Sequence, residues 1–444
     1  MGLTKEIAEW VCNVKFSDLS SALVKKTKDL CLSGLSMTAA GVPMTQSQAI
    51  IKYVKGCKHP EEAGVIGAGF RTSAEYAAMV NGTVSHVTEL EDDTFPDSTY
   101  DVGIFPTSFA LGEKYRLSGK DVMLGFAIGF EVASLLGIPT ADGFRRGWCM
   151  ASIVCSLGSA ASAARLMGLS LPQTVNALSI GASQAAGLVR QTGTGAHLFE
   201  SGAACRNGIT AAALAKQGMT GQPDIIEGER GLAFAVSGVA DPKMKLGSFR
   251  IGVAGVKKYP CCFLQMHIID AILAMIKENK LTADDVKSIQ VDHHTGFLGP
   301  VRYHHPTTED DSRFSLPHSI AACFLDERVF LDSYTNEKAV DPKWRAFRDK
   351  VKMVSHPEWD TTGISGGKIP LTIKLKDGRE FKKVAPGTDV PVVVTDAQLW
   401  DKYTSCMERI YPKKQIDEAA KMIFALDELK DISGLMKLIT FPAK

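Results

Sequence analysis

Two stretches decide the fold: Ser156–Gly168, SLGSAASAARLMG, and Ser201–Gly218, SGAACRNGITAAALAKQG. Both are built from Ala, Gly and Ser at helical spacing, with Leu157, Leu166, Ile209 and Leu214 as the larger apolar positions. Small side chains let helix backbones approach closely and bury flat faces, so these runs predict helices inside a large helical core. The same texture extends outward through Ser73–Leu90 and Pro106–Leu117, separated by Gly, Pro and Asn, and no strand alternation interrupts it before about residue 260. Met123–Thr140 is apolar, but Glu131, three glycines and Pro139 break it up, so a buried helix is expected there and not a membrane span.

The pattern then changes. Val286–His294 (VKSIQVDHH) and Ile369–Pro386 (IPLTIKLKDGREFKKVAP) alternate with period two, and Lys376-Asp377-Gly378 marks a hairpin turn. Helical spacing returns in Ala397–Ile410 and Ile416–Ile439. The expectation is a mainly α protein with a discontinuous all-α domain, residues 1–264 and 395–444, and a smaller α+β domain, residues 265–394.

Composition narrows the function. The 444 residues include 50 Lys and Arg against 49 Asp and Glu, a formal net charge of +1, so no overall field favours nucleic acid or an anionic membrane. Met1–Trp10 lacks the basic start and apolar run of a secretory signal, and the ten cysteines show no CxxC spacing; both point to free thiols in the cytoplasm. The motifs GxSxG, GxxxxGK[ST] and a strand-borne GxGxxG are missing.

Three segments could carry chemistry. His86–Asp101, HVTELEDDTFPDSTYD, crowds Glu89, Glu91, Asp92, Asp93, Asp97 and Asp101 together. Mutual repulsion raises carboxylate pKa values, which suits general acid–base work; a solvated acidic loop is the plainer alternative. Gly255–Ile272, GVKKYPCCFLQMHIIDAI, sets Lys257 and Lys258 before Pro260, where a helix start beside two ammonium groups would bind a carboxylate or phosphate. The alternative is that both lysines face water, and His267 reads as a satisfied structural histidine. Gly193–Gly208, GTGAHLFESGAACRNG, places His197 and Glu200 three apart on one helical face. The pairs His293-His294 and His304-His305 lack partners at metal-ligand spacing, and neighbours on a strand point to opposite faces, so no metal is expected.

Six segments together resemble the MmgE/PrpD family: VNGTVSHVTELEDD (Val80–Asp93), ARLMGLSLPQTVNALSIGASQAAG (Ala164–Gly187), ESGAACRNGITAAALAKQGMTG (Glu200–Gly221), KKYPCCFLQMHIIDA (Lys257–Ala271), RFSLPHSIA (Arg313–Ala321) and IKLKDGREF (Ile373–Phe381). The resemblance implies a homodimer with a cofactor-free site in a cleft between the domains, acting on a small anionic carboxylate. It matches the family's catalytic acidic loop to Glu89–Thr94 and its lysine before Tyr-Pro to Lys257. The sequence also departs from the pattern. STYDVG (Ser98–Gly103) replaces a His-Pro motif, leaving Thr99, Tyr100 or Asp101 where an imidazole is expected; Cys149 in GWC replaces a histidine; His197 aligns with a lysine, and His318 with a tyrosine.

The resulting expectation is a lyase, a dehydratase or decarboxylase. Glu89, Asp92, Asp93, Tyr100, His197 and Lys257 would act on a di- or tricarboxylate, with Thr94, Cys149, Lys258 and His318 binding it. An epimerase using the same residues and a ligand-binding protein that lost its histidines are the alternatives.

Overall fold

The computed structural model describes residues 2–94, 99–359, 367–387 and 390–443. It is mainly α, with eighteen α-helices and six short strands among the described residues. The chain forms two compact units, one of residues 1–188, 196–256 and 394–444, the other of residues 189–195 and 257–393. The second unit thus begins at Lys257, eight residues before the boundary expected from sequence, and takes in a short segment from the middle of the helical region. Side chains explain that segment's allegiance: Arg302 donates to the carbonyls of Arg190 (3.1 Å) and Thr192 (2.8 Å), and the Tyr303 hydroxyl also donates to Thr192 (3.0 Å).

In the first unit the helices Gly119–Thr140 and Met150–Leu166 share the most extensive packing. Small residues make it possible: a Cβ on Gly129 would lie 2.8 Å from the Gly158 carbonyl oxygen, and one on Gly158 would lie 2.6 Å from that of Gly129. The Gly119–Thr140 helix is long and apolar enough to cross a membrane, yet 89% of its most apolar stretch is covered by the rest of the unit. Asp121 lies in its first turn, and its other acid, Glu131, is buried and satisfied, accepting from the Ser248 amide (2.8 Å), the Ser248 hydroxyl (2.9 Å) and the Arg250 amide (2.6 Å).

Two local expectations need correction. A hairpin of β1 (Ala63–Val65) and β2 (Phe70–Thr72) lies in the region read as helical almost throughout, without strand alternation; three residues per strand are too few to show it. The helix expected to start at Pro106 runs over Asp101–Lys114. Pro106 cannot donate to the Val102 carbonyl, and the Cys205 thiol approaches that oxygen instead (3.4 Å).

The second unit holds a four-stranded sheet in the order β4-β3-β5-β6, with β3 Val286–His293, β4 Val351–Ser355, β5 Ile369–Leu375 and β6 Glu380–Ala385. β3 runs parallel to β4 and antiparallel to β5. The β5–β6 hairpin turns at Lys376-Asp377-Gly378, where Gly378 takes a φ of 94°. Strand alternation sends Leu371, Ile373 and Leu375 inward, where they form one core with Ile268, Ile269 and Ile272 of the helix Met266–Asn279.

Candidate active site

The acidic segment follows the helix Ala74–His86, and its carboxylates are buried rather than solvated: Glu89, Glu91, Asp92 and Asp101 are each no more than 2% exposed. Asp97 lies outside the described residues. Glu89 sits in the left-handed backbone region (φ 52°), which turns the chain straight back after the helix. Such conformations persist only where surrounding structure imposes them.

Around this turn the first unit gathers two imidazoles and three glutamates. His86 Nε2 lies 3.5 Å from Glu89 and 3.9 Å from Glu91, while its Nδ1 bonds the Ser201 hydroxyl (2.8 Å). The His197 ring packs edge-on against that of His86 at 4.8 Å. His197 and Glu200 come from the first turns of the helix Gly195–Lys216, where their three-residue spacing brings Nδ1 to 3.5 Å from the carboxylate. The other Glu200 oxygen accepts from the Leu188 amide (2.8 Å), which fixes the pair. Burial works to lower the pKa of His197, but the charges of Glu200, Glu89 and Glu91 outweigh it, so the imidazolium is favoured above its ordinary range.

Cys149 joins this group. Its amide donates to Gly187 (3.0 Å) and its sulfur accepts from the Ser152 hydroxyl (3.4 Å). Gly187 is wedged between Cys149 and Glu200, so that a Cβ there would lie 3.1 Å from Cys149 Cβ and 3.3 Å from Glu200 Oε2.

Asp92 and Asp101 turn the other way, into a buried charge network. Ser33 donates to Asp92 (2.8 Å), the Asp92 amide donates to Asp101 (3.1 Å), and Lys402 lies 3.6 Å from Asp92. The Lys402 ammonium also donates to Ser33 (2.9 Å) and to the Leu90 carbonyl (2.6 Å). Burial raises the pKa of Asp92 against the pull of Lys402 and Ser33; burial and then the Asp92 charge hold Asp101 well above the usual carboxylate range. Asp93 is tied by its backbone, exchanging hydrogen bonds of 2.8 and 2.7 Å with Gly255, and Thr94 beside it is buried. Tyr100 is fully buried, with its ring edge-on to that of Phe130 in the apolar core.

The second unit holds the remaining candidates. Lys257 is buried at its start. The expected helix entrance at Pro260 is not there: the α-helix begins at Met266, because the intervening chain is pinned by hydrogen bonds from the Cys262 amide (3.0 Å) and Gln265 side chain (2.8 Å) to the Arg313 carbonyl. Lys258 pairs with Asp270 (2.7 Å) inside the unit, and His267 bonds the Val390 carbonyl (2.8 Å). His318 is locked in the core. Arg348 donates to its Nδ1 (3.1 Å), its Nε2 bonds the Ser333 carbonyl (2.9 Å), Trp344 stacks on it, and burial pushes its pKa down to about 4. Both ring nitrogens are used within the unit, so it is not placed to bind a substrate.

Three groups among the described residues could converge on a cation: His86, Glu89 and His197; Cys149, His197 and Glu200; and His304, His305 and Asp349. The last corrects the opposite-faces argument, because 304–305 lie in a turn and not on a strand. Sequence reasoning passed over His86, inside the quoted acidic segment, and Lys402, which no local signal ties to Asp92 from 310 positions away.

The arrangement can hold a proton on an imidazole beside several carboxylates, away from bulk water. The whole-chain comparisons agree with where the motifs fall. A cis-aconitate decarboxylase from Aspergillus terreus is 25% identical over all of this chain and 97% of its own length. Those of Mus musculus and Homo sapiens are each 24% identical over 99% of the chain, covering 94% and 95% of their lengths. Residues 5–245 match the MmgE/PrpD N-terminal domain and residues 259–428 the MmgE/PrpD C-terminal domain; with the acidic turn and the His197 helix both inside the first match, the chain belongs to the MmgE/PrpD family.

Proposed function

We propose that this protein is a lyase that decarboxylates a small unsaturated polycarboxylate of the cis-aconitate type. The observation that carries the reading is the His86–Glu89–His197–Glu200 cluster, its first two members buried and its last two partly exposed, in a chain similar end to end to proteins named cis-aconitate decarboxylase. That name favours loss of a leaving group over the epimerase alternative.

Decarboxylation breaks a carbon–carbon bond, releases CO2 and leaves the electron pair conjugated with a remaining carboxylate. The intermediate needs a cation beside its developing charge and an acid to protonate carbon. His197, favoured as imidazolium by Glu200 and Glu89, is the proposed proton donor, and His86, oriented by Ser201, the group that resupplies it. Lys257, which the resemblance matches to the family's lysine before Tyr-Pro, is the proposed carboxylate-binding cation. Cys149 and Thr94 would shape the pocket, while Asp92 and Asp101 brace the turn that presents Glu89 and Glu91.

The test is CO2 release from cis-aconitate by the full chain, with His197→Gln and Lys257→Met alongside. Turnover by the wild type, reduced at least about a hundredfold in His197→Gln, is the expected result. Wild-type rates in both variants, or no release from cis-aconitate at all, would overturn the assignment.

A further inference from the structure

In the first unit a cavity of about 350 Å³ opens between the helices Ser21–Gly41 and Asp396–Met407. That size is at the lower end of small-molecule sites, about 300 to 1,000 Å³. Its walls are apolar: Val24, Leu32, Leu399, Trp400 and Phe424. Trp400 and Phe424 stay 39% and 49% exposed, with ring centroids 6.4 Å apart and planes inclined by only 27°. Two large aromatic faces held nearly parallel at an open cavity suit a flat ring.

The rim excludes a charged ligand. Lys25 is neutralised by Asp29 (2.8 Å) and Asp396 (3.0 Å), and Lys28 donates to the Phe424 carbonyl (2.8 Å) and pairs with Asp427. An anion would compete with these carboxylates and a cation with these ammonium groups, so a neutral molecule fits best.

The two helices that line the cavity also reach the acidic turn. Leu32 directly precedes Ser33, and Leu399 lies three residues before Lys402; Ser33 and Lys402 are the two side chains that hold Asp92. We propose that this cavity is a binding site for a small, neutral, flat aromatic molecule, and that its occupancy is coupled through these two helices to the Asp92 network. The cavity itself holds none of the proton-transfer residues, so binding there is independent of the proposed reaction.

The neutral naphthalene dye prodan, titrated into the full chain and read by its emission, tests this. One saturable site per chain is expected, with Kd raised about tenfold, equivalent to 1.4 kcal/mol, in Trp400→Lys and in Phe424→Lys. Both positions are half exposed, and an unchanged melting temperature verifies the fold; Ser21→Trp, at an exposed lining position, fills the cavity while leaving both aromatic residues unsubstituted. Absence of saturable binding, or undiminished binding in all three variants, would overturn the site. Asp92→Asn lines no part of the cavity, and coupling predicts that it shifts the Kd by about fivefold or more; an unchanged Kd would overturn the coupling.

Discussion

Replacing Lys402 by Met keeps most of the unbranched side chain, one atom shorter, and removes its charge, leaving Asp92 buried without its nearest ammonium group. In the native protein that ammonium stands 3.6 Å from Asp92 and donates to Ser33 and Leu90 at 2.9 and 2.6 Å, with Lys402 only 4% exposed. Removing one partner of a buried ion pair costs about 3–5 kcal/mol, because the remaining charge has lost its compensation. Lys402→Met should therefore destabilise the first unit by that amount at neutral pH. The loss should shrink on acidification, because Asp92, whose pKa is already raised from 3.8 by burial, then becomes neutral. The double variant Lys402→Met/Asp92→Asn should recover at least half of the loss, since no buried charge is left over. Urea unfolding followed by hydrogen exchange of first-unit peptides measures this without mixing in the second unit. A loss below about 1 kcal/mol, or a double variant no more stable than Lys402→Met, would show that Lys402 does not compensate a buried Asp92 charge.

Further outcomes follow from the same geometry. Asp92 and Asp101 both have folded pKa values raised above 3.8, so the folded chain holds protons that the unfolded chain has released; their contribution to stability should decline as pH rises from 3.8 through the raised values, measurable by urea unfolding across pH. Glu200→Gln removes a charge that raises the His197 pKa, so the alkaline limb of the kcat/KM profile should move to lower pH, and an unmoved limb would remove His197 from its role as acid. Gly158→Val forces a side chain against the Gly129 carbonyl and should cost about 1–3 kcal/mol or more, read by thermal unfolding. Lys258 is already paired with Asp270, so Lys258→Ala should leave most of the turnover that Lys257→Met abolishes.

The architecture was legible because its signals are local. Small-residue helices, the β5–β6 turn and the period-two strands each declare themselves within about ten residues. The His197–Glu200 pair was visible for the same reason, as a helical spacing. What escaped was set by tertiary contact. The partnership of Ser33, Asp92 and Lys402 joins three distant segments, and the chain after Lys257 is held by Arg313 and so does not begin a helix where Pro260 suggests one. His318 looked like a pocket residue only by alignment; its burial under Trp344 and Arg348 is a property of packing that no local pattern encodes.

Delivery of a proton by the imidazole–carboxylate cluster as CO2 leaves can be followed by proton NMR during turnover of cis-aconitate in D2O. Each molecule losing CO2 should gain one solvent deuterium on carbon, and His197→Gln should suppress both events together. Deuterium entering cis-aconitate without loss of CO2, or full decarboxylation by His197→Gln, would contradict it.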